Sequence, residues 1–205
     1  LCVLDKNDFI CATEALLERI INSLKCFAAY APPQPLAGPV VSVFVTKKGY
    51  QGNLGGLADA DAICQAAAEA AGLSGTDWKA WLSTSDGEEA EPPGINAIDR
   101  IPDGQYWLVD GTTLIAADKE DLTDGRLKSA IDLNEDGRQW GGFVWTGTQA
   151  DGNGTGSNCN NWADNSSEVS GDNGFINTTD EAWTKYYDPV QCSWQRHLYC
   201  FGGVE

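Results

Sequence analysis

The sequence predicts a mixed α+β domain with one long irregular loop, preceded by a separate amphipathic helix. Three observations carry that reading. Short β-branched or aromatic runs are scattered from Val41 to the C-terminal end, with a single alanine-rich helical stretch among them. Residues 151–177 hold seven Asn and five Gly with few aliphatics, the composition of a loop. Upstream, Leu16, Leu17, Ile20, Ile21, Leu24, Phe27 and Ala28 recur at helical spacing.

The elements follow in order. Residues 13–28 form the amphipathic helix, whose apolar face must pack either on its own domain or on a neighbouring subunit. Residues 31–39 hold four of the eight prolines and read as a stiff, extended linker. The division is thus a helical element over 1–30, a linker over 31–40 and the main domain over 41–205. Residues 41–46 alternate as a strand, and 49–56 form a glycine-rich loop. Residues 57–71 form a helix closed by Gly72. Residues 78–83 are a second strand. Residues 106–109 and 112–115 flank Asp110-Gly111, a favoured two-residue hairpin turn. Residues 142–146 are a buried strand, and 194–201 end the chain as another.

Thirteen basic and thirty acidic residues give a net charge of −17. That balance excludes DNA, RNA and heparin-like polyanions as partners, since those need a positive surface. No apolar run approaches the length of a membrane span. The chain starts at Leu1 and contains no Met, which points to a leader already removed. The single His, at 197, excludes multi-histidine metal sites. Seven cysteines without a C-x-x-C pair point to disulfides in an oxidising, extracellular or cell-surface location.

The odd count leaves one thiol free or linked to another chain. An unbroken helix from Cys11 to Cys26 would separate them by roughly 22 Å, too far for a disulfide. Cys2–Cys26 is feasible if residues 3–10 fold back along the helix, and Cys2–Cys11 is feasible as well.

Several segments together resemble a known family: Val43-Phe-Val-Thr46, Gly52-Asn-Leu-Gly-Gly-Leu-Ala-Asp-Ala-Asp-Ala-Ile-Cys64, Trp78-Lys-Ala-Trp-Leu82, Val144-Trp-Thr-Gly-Thr148, Asn158-Cys-Asn-Asn-Trp162 and Leu198-Tyr-Cys-Phe201. The resemblance is to a bacterial family of unknown function found in secreted proteins and surface lipoproteins. That family looks like the endostatin branch of the C-type-lectin-like fold. The resemblance covers about residues 41–202 and implies an endostatin-like, C-type-lectin-like domain. It also implies that Cys64 pairs with Cys200 and Cys159 with Cys192.

The lectin pattern is incomplete. Sugar-binding C-type lectins hold calcium with an Asn-Asp pair before the third core cysteine and a proline-centred triplet in the long loop. Here Asp188 is preceded by Tyr187, one residue out of register, and the loop has no proline. Calcium has a second candidate site. Asp132, Asn134 and Asp136, followed by Gly137, open like a calcium loop, but Phe143 stands where a bidentate Glu is needed. The alternatives are a smaller calcium loop and a plain acidic turn, so the cofactor expectation is none or Ca2+.

Trp162 lies among Asn160, Asn161, Asp164 and Asn165, and Trp183, Tyr187 and Asp188 follow. Aromatic plates flanked by amides and carboxylates suit a sugar ring, which offers an apolar face and directional hydroxyls. Those eight residues are the candidate ligand contacts; the competing account is that each Trp is core. The sequence contains no catalytic constellation. Sequons at Asn153, Asn165 and Asn177 mark exposed loop only if the source is eukaryotic. The expected function is an extracellular, non-enzymatic binding or adhesion module for a glycan or surface protein. The alternative is a structural subunit of an extracellular filament or coat, self-assembled through residues 1–40.

Overall fold

A computed structural model describes residues 2–5, 8–11, 38–84 and 94–204. The chain divides into two units, 1–37 and 38–205. In the first, strands β1 (Cys2–Asp5) and β2 (Asp8–Cys11) pair antiparallel, with Cys2 opposite Cys11 in the register. The expected helix over 13–28, most of the proline-rich linker, and Cys26 with its expected bond to Cys2 lie outside the described residues.

The second unit is a mixed α+β structure. Strand β3 (Val40–Val45) alternates its side chains so strictly that each face serves a different core. Val41, Val43 and Val45 join one cluster and Phe44 joins the other. The same alternation recurs at the other end of the chain. Tyr199 and Phe201 point to the first cluster, Leu198 and Cys200 to the second. A sheet buried on both faces needs such near-continuous apolar strands.

That sheet has five strands in the order β4 (Lys79–Ala80), β11 (Tyr199–Gly202), β3, β5 (Gln105–Leu108) and β6 (Leu114–Ala116). Strand β11 runs antiparallel to both neighbours, whereas β3 and β5 are parallel. One face carries helix α1 (Gly56–Ala71), whose buried stripe is Ala60, Cys64 and Ala68. Spacing of four residues with small side chains lets the helix lie close on the sheet. Gly72 (φ 75°) ends it, its N–H donating to the carbonyls of Ala68 and Glu69. A Cys64–Cys200 disulfide joins α1 to β11.

Asp61, on the same helix, accepts from Arg100 (2.5 Å), Lys79 (3.0 Å) and the Ala80 backbone N–H (3.0 Å). Arg100 also donates to the carbonyls of Ala80 and Leu82. This network ties α1, β4 and the short helix Ala97–Arg100 together.

Three expected elements differ. The strand over 78–83 is only Lys79–Ala80, because after Trp81 donates to the Tyr199 carbonyl the chain leaves the sheet and Ser83 pairs with Thr146. The Asp110-Gly111 hairpin has a broader connection: Asp110 accepts the backbone N–H groups of Thr112 and Thr113 and the Thr113 hydroxyl, so its carboxylate shapes the turn. The closing strand starts at Tyr199 rather than Trp194. Residues 196 and 197 instead bridge Tyr50 and Val144.

The long loop is also more structured than its composition implies. It contains strands β8 (Ser170–Gly171) and β9 (Asn173–Phe175), the first paired with β10 (Val190–Gln191) and the second with β7 (Phe143–Trp145). Gly174 in β9 is obligatory, since a Cβ there would collide with the Trp183 carbonyl. A Cys159–Cys192 disulfide clips this region.

The two disulfides constrain the unfolded chain to different degrees, because the separations are 136 and 33 residues. Replacing Cys64 and Cys200 by Ala should cost about 4–5 kcal/mol, against about 3–4 kcal/mol for Cys159 and Cys192. Urea unfolding of the two double variants checks this, and the reverse order would contradict the loop-closure account.

Candidate functional site

A tryptophan in a sequence can be core or contact, and burial separates the two. Trp162 is fully buried and donates its indole N–H to the Ser83 carbonyl at 2.9 Å. Trp183 is fully buried between Trp81 and Tyr199, with ring centroids 5.1 and 5.8 Å away. Neither expected contact can stack on a ligand, because its ring faces are covered by protein. Trp194 is the opposite case, 50% exposed, and Tyr187 is 79% exposed.

Those two exposed rings line one groove of about 300 Å3, together with Phe143, Tyr186, Asp188 and Arg196. An adjoining hollow of about 530 Å3 shares Tyr186 and Tyr187 and is lined also by Phe175, Asp180, Glu181 and Lys185. Both volumes are of the order of small-ligand sites, about 300–1,000 Å3.

The groove is built on fixed neighbours. Tyr186 donates its backbone N–H to the Asn173 carbonyl on β9 at 2.7 Å, and its ring packs on Phe143 and Phe175. Tyr187 has φ 43°, a left-handed conformation that side chains other than glycine rarely adopt. Lys185 holds that turn: its ammonium pairs with buried Asp172 and donates to the Tyr187 carbonyl at 2.9 Å. The Tyr187 ring stands edge-on to Tyr186, centroids 4.4 Å apart.

Arg196 lies 4.9 Å from the Phe143 ring centroid and 5.0 Å from that of Trp194. Burial pulls its affinity for the proton below the ordinary arginine value, but an arginine so placed remains charged.

Of the eight expected ligand contacts, Tyr187 and Asp188 line this groove. Asn160, Asn161, Asp164 and Asn165 belong instead to a left-handed turn and its exit. Cys159, Asn160, Asn161 and Trp162 all have positive φ, from 54° to 65°. Four such residues in a row are unfavourable for L-amino acids. Here they are held by the Cys159–Cys192 bond, by the burial of Trp162, and by Asn158, whose side chain exchanges two hydrogen bonds with Asn161. Asn160 donates to Asp164 at 3.0 Å, and Asn165 to Gln51 at 2.9 Å. The backbone N–H of Ser166 holds the Asp164 carboxyl below the usual carboxylate range.

The candidate calcium trio forms an acidic turn closed from within. The Asn134 side-chain oxygen accepts from the backbone N–H groups of Asp136 and Arg138, both at 3.0 Å, which occupies its two lone pairs. Asp136 pairs with Lys47 at 2.9 Å, and Asp132 accepts from Gln139 at 3.4 Å. Among the described residues no three His, Cys, Asp or Glu side chains come together as a metal-binding group.

Tyr186, Trp194, Asn173 and Arg196 are site residues that the sequence reading did not select. The available signal was the segment Trp194-Gln-Arg196, a cation beside an aromatic in a strongly acidic chain; its assignment to a strand concealed it.

The model of a family of proteins of unknown function, DUF1554, matches residues 47–179. The chain belongs to this family. The DUF1554 match takes in α1, the acidic turn and the left-handed turn, and it ends before Tyr186, so most of the groove lies beyond the matched segment. No curated protein matches the chain.

His197 adjoins the groove and gives the domain a pH-dependent element. Burial holds its imidazole below the ordinary histidine value of 6.5. Its Nε2 accepts the Trp140 indole N–H at 3.3 Å, which requires the neutral ring. The unfolded chain therefore takes up a proton at higher pH than the folded one. The stability contributed by neutral His197 is full above the ordinary value and is lost as pH falls through the lower folded value. Thermal melts from about pH 7.5 to 5 should show Tm falling in the wild type and falling less in His197→Gln, since the lowered carboxylates, such as Asp110 and Asp121, titrate at more acidic pH.

Proposed function

We propose that this chain is an extracellular, non-enzymatic binding module that holds a glycan in the groove of Tyr186, Tyr187, Trp194 and Arg196. The observation that carries it is the convergence of Tyr187 and Trp194 on one concave, polar-rimmed site. Exposed aromatic faces offer apolar contact to the C–H face of a sugar, and Asp188 on the rim can accept from hydroxyls. A protein partner is the poorer fit. Protein interfaces of standard size bury about 1,200–2,000 Å2 around an apolar centre. Among the described residues only Ile95, Tyr187, Trp194 and Val204 are large exposed hydrophobics.

The location rests on the cysteines. Two disulfides are formed in the described residues, as is usual for an oxidising compartment. Among the described residues no helix is long and apolar enough to cross a membrane. The endostatin-like, C-type-lectin-like reading of the fold, and with it a bacterial surface setting, belong to the same proposal. Support comes from the first-helix cysteine bonded to the closing strand with a second disulfide nested inside.

A glycan array with the full chain tests the function. Trp194→Ala and Tyr187→Gly should each weaken binding by about tenfold or more, with Tm within a few degrees of the wild type. Glycine suits φ 43° at position 187, so that variant removes the ring without straining the turn. Trp162→Ala should instead destabilise by about 3–5 kcal/mol, as a core truncation. Wild-type binding unaffected by either groove variant would refute the site, and no glycan bound by the wild type would refute the function.

A further inference from the structure

We infer that the groove selects a glycan carrying an isolated carboxylate, as a uronic-acid residue among neutral sugars does, and that Arg196 with Asn173 receives that carboxylate. This rests on the glycan reading above.

The first observation concerns charge. Four basic residues besides Arg196 are partly buried in the described structure, and each has a carboxylate partner: Lys79 and Arg100 with Asp61, Lys119 with Asp103, Lys185 with Asp172. Arg196 is half-buried, yet among the described residues no carboxylate lies within ion-pair distance of it. Its Nε donates to Asn173 Oδ1 at 3.4 Å and its Nη1 to the Gln195 carbonyl at 3.0 Å. In a chain of net charge −17, a partly desolvated cation left without an anion is a departure from the surrounding pattern.

The second observation is independent. Asn173 is 2% exposed and lines the same groove, and among the described residues its Nδ2 has no hydrogen-bond partner. Its Oδ1 is engaged by Arg196, which leaves the amide nitrogen as an unmet donor beside a guanidinium whose Nε and Nη1 meet only neutral acceptors. Buried donors are almost always satisfied. A donor beside a guanidinium without a carboxylate partner matches a group with two acceptor oxygens and a negative charge. A carboxylate has that chemistry, and a guanidinium receives it in a planar, charge-assisted pair.

The rest of the groove decides what carries the carboxylate. Trp194 and Tyr187 present exposed aromatic surface suited to a sugar. Asp188 on the rim and the negative field of the whole molecule disfavour a second carboxylate close by. A sparsely charged saccharide satisfies Arg196 without the repulsion that a dense polyanion would meet.

The test uses the full chain and pairs of oligosaccharides, each uronic-acid-bearing member printed beside its carboxyl-reduced counterpart. The wild type should bind the acidic member about tenfold or more tightly than the reduced one. Arg196→Gln should bring that ratio close to one, because binding of the acidic member falls far more than binding of the reduced one. Equal binding of both members by the wild type, or an acid preference retained in Arg196→Gln, would overturn the inference and leave the glycan reading standing. Binding of neither member of any pair would overturn both. If Arg196→Gln fails to fold, the acid-to-reduced ratio of the wild type decides alone.

Discussion

The last strand of the chain occupies an inner position of the sheet, and the rest of the domain is arranged around that fact. Strand β11 fills the gap between β3 and β4, and neither pairs with the other. The sheet is therefore incomplete until residues 199–202 are in place. Both cores are incomplete as well, because Tyr199 and Phe201 supply one and Cys200 the other. Contacts this distant in sequence carry a large loop-closure cost, which scales with the logarithm of the separation. The Cys64–Cys200 bond removes much of that cost from the unfolded state, and it does so at the strand on which the sheet depends.

The groove inherits its rigidity from the same arrangement. After β10 the chain crosses back toward β11, and on the way residues 196 and 197 bridge Tyr50 and Val144. Arg196 is thereby delivered against Phe143 on β7 and Asn173 on β9, two strands that pair with each other. The Cys159–Cys192 bond and the Lys185–Asp172 pair hold the flanking segments. The rings that face solvent are consequently mounted on fixed backbone, so binding need not order them first. The positive φ of Tyr187 belongs to the same logic, since local strain persists only where the surroundings over-determine it.

Acidic residues that look alike in the sequence have separate uses. Asp61 gathers two cations and a backbone N–H where three elements meet. Asp110 and Asp118 shape a turn and cap a one-turn helix, and Asp172 anchors the lysine behind the groove. Glu135 is buried and accepts the Lys47 backbone N–H, fastening the acidic turn to the end of β3. Much of the negative charge thus has a structural partner, and this is the background against which Arg196, without a carboxylate partner among the described residues, stands out.

By itself the sequence determined what depends on neighbours a few residues away. Strand β3 is legible from alternation and α1 from its alanine-rich run and the Gly72 stop, while the Asn and Gly content marks the loop-rich stretch without revealing the short strands β8 and β9 inside it. The acidic balance and the cysteine count are likewise matters of composition. The partners of Cys64 and Cys159 were not legible in spacing and came only from the family resemblance. Tertiary structure alone decided which tryptophans are buried: Trp162, Trp183 and Trp194 have similar polar surroundings in sequence, but only Trp194 is left outside when the chain closes. It also decided that residues 194–198 leave the sheet and that Arg196 meets Asn173 across 23 residues. The physical reason is common to these cases. Burial and hydrogen-bond satisfaction are properties of a face meeting another face, and local propensity carries no record of which distant face that is.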